Sequence, residues 1–298
     1  MSTTETPTRP AGAAAPDQPA FADPPTLGRR SALAVAGERG RGAGRRLRRA
    51  GATVLRASAA LVVFLALWEV APRVGLADPV FLPPLSTVLS TFAGLLVDGT
   101  IGAQVGTSLA RAAAGFTIAV AVAVPAGLAI GWYARAAQYL GPFFELFRNT
   151  AALALLPVFV LVLGIGETSK IAIVVYACFF PVLLSTITGV RTVDPLLVRS
   201  ARSLGLSSPA LFAKVVLPSA VPTVFTGIRM AATGSILVLI AAEMVGAKAG
   251  LGFYITYTQF NFQIPEMYAG IVTIALVGVG VNGLLVLVER RLTRWRAA

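Results

Sequence analysis

The chain has 298 residues, 56% of them hydrophobic and only 13% charged, with a mean hydropathy of +0.78. Soluble domains carry about 25% charged residues, so the composition excludes a soluble globular fold and points to an integral membrane protein. Histidine is absent and Cys178 is the single cysteine, which removes a disulfide framework within one chain, the commonest general base and the commonest metal ligand; no cofactor or metal is expected.

The net charge of +12 is unevenly spread, with ten of the 25 Lys and Arg at or before Arg56 and six of them in "ERGRGAGRRLRRAG". Residues 1–52 are rich in Ala, Pro, Gly, Thr and Arg without apolar periodicity, and read as a disordered basic cytoplasmic tail. Such a flank orients the first membrane helix and touches anionic lipid; a nucleic-acid reading is not favoured. "GRRSALAVAG" superficially suggests a twin-arginine export signal, but its apolar stretch is six residues, short of the roughly 7–15 a secretory signal needs.

Residues 53–298 are expected to form the transmembrane domain. Six apolar segments approach the roughly 20 residues needed to cross a bilayer, at about 54–73, 108–133, 143–163, 171–190, 219–245 and 268–288. With a cytoplasmic N-terminus, nineteen basic residues fall inside and three outside, Arg73, Lys170 and Lys248. The positive-inside rule then places both termini in the cytoplasm. Trp132, Tyr133, Tyr139 and Trp295 sit where amphipathic rings favour the interface. In the first outer loop, "LSTVLSTFAGLLVDG" has Val88, Leu89, Phe92, Leu95 and Leu96 at helical spacing, predicting a short helix capped by Ser86.

Gly127-x-x-x-Gly131 offers a close helix contact, within the subunit rather than at a dimer seam. Glu145 and Arg148 lie one turn apart at the expected start of the third span, where they neutralise each other. "GIGETSK" (Gly164 to Lys170) is the nearest approach to a phosphate-binding loop, but its spacing is wrong and it reads as a tight outer turn. Without a G-x-x-x-x-G-K-[ST] cradle the chain does not hydrolyse ATP.

Between the fourth and fifth spans the sequence turns polar, in "SARSLGLSSPALFAKVVLPSAVP" (Ser200 to Pro222). Asp194-Pro195 is a cap followed by a proline at the first helical position, and Gly205 can take the left-handed conformation that ends a helix. Ser208-Pro209 repeats the first device, opening a second short helix to about Val216, and Pro218 and Pro222 are expected to re-aim the chain into the fifth span. Residues 194–218 thus predict a cytoplasmic helix–turn–helix shaped to be held by a partner.

Within the fifth span, Arg229 is expected either to line a pathway or to pair structurally, since a charge near the midplane costs about 2.5–3.5 kcal/mol on insertion scales. Glu243, near the outer end, reads as part of a gate or as a partner of Lys248 or of backbone donors. Gly250 and Gly252 read as a sharp turn.

The polar loop resembles the EAA motif of ABC-importer permeases. Ala201 takes its third position, Gly205 its glycine, Val215 its isoleucine and Leu217-Pro218 its closing pair. Arg199 and Ser200 stand where Glu and Ala are usual, which removes the salt bridge of the leading glutamate. "SLARAAAGF", "ALALLPVFVLVLGIGETSKIAIV" and "GIRMAATGSILVLIAAEMVGAKAGLGFYI" are similar to the nitrate, sulfonate and taurine branch. One departure is Asn149-Thr150-Ala151-Ala152, where that branch has prolines; with them goes the sequence reason for a kink.

The resemblance implies an all-α, six-helix type I importer permease for a small anion, with the 194–218 loop as its coupling element, Pro209 included. It also implies two ABC ATPase subunits, an extracytoplasmic substrate-binding protein, a second permease copy and a place in the cell membrane. An ion-coupled secondary transporter is the alternative, disfavoured by few intramembrane carboxylates and no duplicated half. A membrane enzyme lacks a nucleophile–base constellation.

Overall fold

The computed structural model describes residues 59–292, and all its regular elements are helical. The proposed tail, residues 54–58 of the first span and Trp295 lie outside the described residues. Helix α1 covers residues 59–73. The chain divides into two units after Phe64, and the packing below belongs to the second.

In order follow α2 (Leu85–Val97), α3 (Thr100–Trp132), α4 (Ala134–Asn149), a 3₁₀ turn (Ala152–Leu155) and α5 (Leu156–Leu163). Then come α6 (Glu167–Arg191), α7 (Pro195–Ser203), α8 (Ser208–Leu211), a π turn (Phe212–Val216), α9 (Leu217–Glu243), α10 (Leu251–Phe260) and α11 (Ile264–Leu292). Helices α3, α6, α11 and the run from Ser208 to Glu243 are each long and apolar enough to cross a membrane.

The core is a three-helix seam in which small residues set the spacing. Gly115, Gly127 and Gly131 of α3 lie against Val174, Thr186 and Val190 of α6, so close that a Cβ on Gly127 would stand 2.6 Å from that of Thr186. Residue numbers rise together on both helices, so α3 and α6 run parallel. Across the other face, Gly189 meets Ala220 and Gly227 meets Ser185, so α9 runs antiparallel to α6. Ala119, Ala123, Ile173, Val174, Cys178 and Val182 fill the middle. The GxxxG pair thus packs within the subunit. Replacing Gly127 with leucine should force this seam apart at a cost of at least about 1–3 kcal/mol. Detergent melting should show it against Gly94→Leu, whose added carbon meets nothing within 4 Å.

Because α3 and α6 are parallel, the chain between them must return across the bundle. The return is broken: α4 and the Ala152–Leu163 segment meet at 82°. A straight third span from residue 143 is therefore corrected. The bend needs no proline, because the carbonyls it frees find other donors. Thr150 Oγ1 donates to Leu146 O (3.0 Å), while Thr150 N–H (3.1 Å) and Tyr176 O–H (3.0 Å) donate to Phe147 O.

Two further expectations change. Ser86 is not a cap: α2 starts one residue earlier, and Glu69 of α1 accepts from Ser86 N–H (2.9 Å) and Ser86 Oγ (3.0 Å). Pro218 and Pro222 do not break the chain. The π turn before Pro218 widens the helix where proline removes a donor, leaving one apolar run from Ser208 to Glu243.

Candidate functional site

The 194–218 segment forms a hairpin at one end of the bundle, between the end of α6 and the start of α9. Asp194 caps α7, its Oδ1 accepting from Leu196 N–H (2.8 Å). The helix closes in a paired turn, with Leu206 N–H donating to Ala201 O (3.2 Å) and Gly205 N–H to Arg202 O (2.9 Å). Gly205 sits at φ +76°, where a side chain is strained. The cap of α8 is Ser207, without a side-chain bond, rather than Ser208.

Ala201, Leu211 and Val216 are buried under the hairpin and anchor it to the bundle, with Phe212 set edge-on against Trp132 of α3 at 5.1 Å. Arg199, Ser200, Gly205 and Pro209 are exposed, while Val215, Leu217 and Pro218 are half-buried. Leu196, Leu197 and Leu204 are also exposed, Leu204 by 80%. The hairpin therefore presents leucines interleaved with Arg199 and Arg202, an amphipathic face suited to a protein groove.

At the opposite end lies a buried ionic cluster. Arg111 of α3 donates to Glu243 of α9 (2.7 Å), to Glu167 of α6 (2.6 Å through Nη2, and again through Nε) and to Ala249 O (2.7 Å). Ser108 Oγ donates to Glu243 (2.7 Å) and accepts from Leu251 N–H (2.8 Å), while Gly252 N–H donates to Glu243 (3.1 Å) and Gly250 N–H to Gln104 (2.6 Å). The Glu243 side chain has no exposure, whereas that of Glu167 is 62% exposed.

Glu243 thus meets backbone donors and Arg111, with no bond to Lys248. Lys170, expected in an outer loop, is buried in the first turn of α6 and donates to Gly166 O (3.2 Å). Gly250 does turn the chain, at φ +109°, but Gly252 is needed for approach: a Cβ there would lie 2.2 Å from Ile240 O. The sequence reading passed over Arg111, Glu167 and Ser108. The available signal was that an intramembrane arginine and the intramembrane Glu243 each demand a partner.

Arg229 pairs with Glu289 of α11 at 2.8 Å, a tie between two helices. A separate cavity of about 580 Å³ opens between α4, α6 and α9, lined by Glu145, Arg148, Ser185, Thr188, Thr223 and Thr226 among others. Arg229 is not among its lining residues.

Comparison with known proteins agrees with this architecture. Residues 123–294 match the family described as binding-protein-dependent transport system inner membrane component. The chain is 36% identical to the taurine transport system permease protein TauC of Escherichia coli, over 79% of this chain and 87% of that protein. It is 33% identical to a Bacillus subtilis protein named for aliphatic sulfonates transport, SsuC, over 78% and 85%. The nitrate import permease protein NrtB of Synechocystis is 31% identical over 78% and 85%. Among solved structures, the MetNI methionine ABC transporter in inward facing form matches with a TM-score of 0.56 at 16% identity, over 62% of this chain and 93% of that one. An amino acid ABC transporter matches equally, at 0.56 and 17%, over 67% and 97%. The hairpin, the helical bundle and these matches together place the chain in the binding-protein-dependent inner membrane component family: it is a multi-pass permease subunit of an ABC importer, a transport component and not an enzyme.

Proposed function

We propose that this permease imports a small sulfonate or related anion, taurine and aliphatic sulfonates before nitrate, with two copies of the chain forming the pathway. Two ATPase subunits grip the α7–α8 hairpins from the cytoplasm through the exposed Arg199, Ser200, Gly205 and Pro209, with Ala201, Val215, Leu217 and Pro218 holding the hairpin's shape from beneath, and a binding protein delivers solute at the Arg111–Glu243 end. In this reading α1 is the sixth crossing, both termini are cytoplasmic, and membrane lipid surrounds the bundle and meets the basic flank. Arg229 ties α9 to α11, and Glu243 holds the outer end closed around Arg111.

The observation that carries the reading is the hairpin. It is rigidly capped, anchored by Ala201, Leu211 and Val216, and displays Leu196, Leu197 and Leu204 to whatever grips it. Exposed leucines at a membrane protein's polar end are costly unless a partner covers them. The sulfonate assignment is supported by the relatives named for taurine and aliphatic sulfonates. The test is uptake of labelled taurine, ethanesulfonate and nitrate by proteoliposomes holding the permease, its ATPase and its binding protein. Uptake that requires ATP hydrolysis is expected. Uptake without the ATPase, collapsing with an ion gradient, would reject it, and a Gly205→Cys thiol labelled only from outside intact cells would reject the orientation.

A further inference from the structure

The Glu145–Arg148 pair is not explained by anything the bundle needs. Both residues belong to α4, one turn apart, so their bonds (2.8 and 2.7 Å) tie no two helices together. Their side chains remain 48% and 46% exposed, and both face the cavity between α4, α6 and α9. The start of α4 at Ala134 also shifts them from the mouth of the span towards its middle: Arg148 stands ~21 Å along the helix. On α6 the cavity wall runs from Pro181, ~21 Å from the Glu167 end, to Thr188, ~4.5 Å from the Arg191 end, so the cavity reaches from mid-helix towards the hairpin. Charges at that depth are retained when they serve a pathway or a partner.

The rest of the wall mixes Pro181, Leu184, Pro222 and Met230 with four hydroxyls, of which that of Thr226 donates to Pro222 O (3.0 Å). The hydroxyls of Ser185, Thr188 and Thr223 make no hydrogen bond among the described residues, and Pro181 and Pro222 each withdraw a backbone donor from their helix turn. At about 580 Å³ the space falls in the range of small-molecule sites.

One carboxylate and one guanidinium in contact make a poor seat for a bare anion, because Glu145 both occupies Arg148 and repels the newcomer. They suit a molecule that carries both signs. An ammonium would replace Arg148 at Glu145, helped by the negative end of α4, which stops at Asn149. A sulfonate would replace Glu145 at Arg148 and draw on the free hydroxyls. When the cavity is empty, the two side chains neutralise each other. We propose that this cavity is the transit site of the permease and that it selects a small zwitterion, an amino-sulfonate with its two charges a few bonds apart. The proposal rests on the importer reading above and narrows its substrate.

The test uses the complete transporter in proteoliposomes with two probes, taurine and ethanesulfonate, which lacks the ammonium. Glu145→Gln should cut taurine uptake at least tenfold and raise ethanesulfonate uptake, because Arg148 is then free and no carboxylate repels a lone anion, whereas Arg148→Gln should cut both. Solute-free ATP hydrolysis should persist in both variants. Thr223→Cys gives an independent reading, since the chain's own thiol, Cys178, is buried: taurine during turnover should slow its alkylation at least threefold, and ethanesulfonate should not. Taurine uptake unchanged in Glu145→Gln, or no protection of Thr223→Cys, overturns the proposal. Wild-type uptake of ethanesulfonate without taurine overturns the zwitterion site while leaving the importer reading intact. A wild-type transporter that moves neither overturns the zwitterion site and the sulfonate assignment together.

Discussion

Replacing Arg111 with methionine is expected to destabilise the subunit by about 3–5 kcal/mol, the range for removing one partner of a buried ion pair. The effect is large because the loss is one-sided. Glu243 has no exposed side-chain surface, so without the guanidinium its charge keeps only the Ser108 hydroxyl and the Gly252 N–H. Ala249 O also loses its donor, so the turn that leads into α10 loosens. At about 2–4 °C per kcal/mol for a body of this size, the melting temperature in detergent should fall by roughly 6–20 °C. Glu167→Gln should cost under about 1 kcal/mol, since that carboxylate is largely exposed. Adding Glu243→Leu to Arg111→Met should recover part of the loss, because no charge is then left enclosed. Equal melting shifts for Arg111→Met and Glu167→Gln would contradict the asymmetry described for the cluster.

Gly205→Val is the second large effect, and it should appear in coupling rather than in folding. The glycine sits at φ +76° with nothing within 4 Å of where a Cβ would stand, so the penalty is conformational and not a clash. A left-handed residue costs roughly 1–2 kcal/mol with an ordinary side chain, which is about a 5–30-fold shift in population against the closed turn. The bonds from Leu206 to Ala201 and from Gly205 to Arg202 would open, and the exposed leucines would lose their arrangement. The variant should reach the membrane in normal amount, copurify poorly with the ATPase and lose at least tenfold in uptake. Gly205→Asn should retain most activity, because asparagine tolerates that conformation. Normal copurification and uptake by Gly205→Val would remove the hairpin from the mechanism.

What the chain discloses in advance depends on how local the physics is. The hairpin was legible because Asp194, Pro195 and Gly205 act on their own neighbours. The expected α2 and the apolar runs of α3, α6, α9 and α11 follow from hydropathy in the same way. The bend after Asn149 was not legible, since it depends on Tyr176, distant in sequence, supplying a hydroxyl to Phe147 O. The continuity of α9 through Pro218 was hidden because a π turn, invisible to spacing rules, absorbs the proline. Arg111 was passed over because nothing near it in sequence marks it. Its partners Glu167 and Glu243 lie on two other helices, and parallel packing of α3 with α6 brings the first of them alongside. Glu145 and Arg148 were recognised as a pair, but the start of α4 moved them to a depth that changes their meaning.

From Ser208 to Glu243 the backbone forms a single rod of 36 residues, ~54 Å by the helical rise. One tip emerges from the hairpin, the other is clasped by Arg111, and Thr223 and Thr226 stand between. In the proposed orientation, a nudge from the ATPase at the hairpin therefore needs no relay of side chains to reach the Arg111 end. Under the proposed coupling, tilting this one beam would swing the cavity wall and strain the clasp in the same instant, so that displacement at the hairpin and release at the Arg111 end become one geometric event.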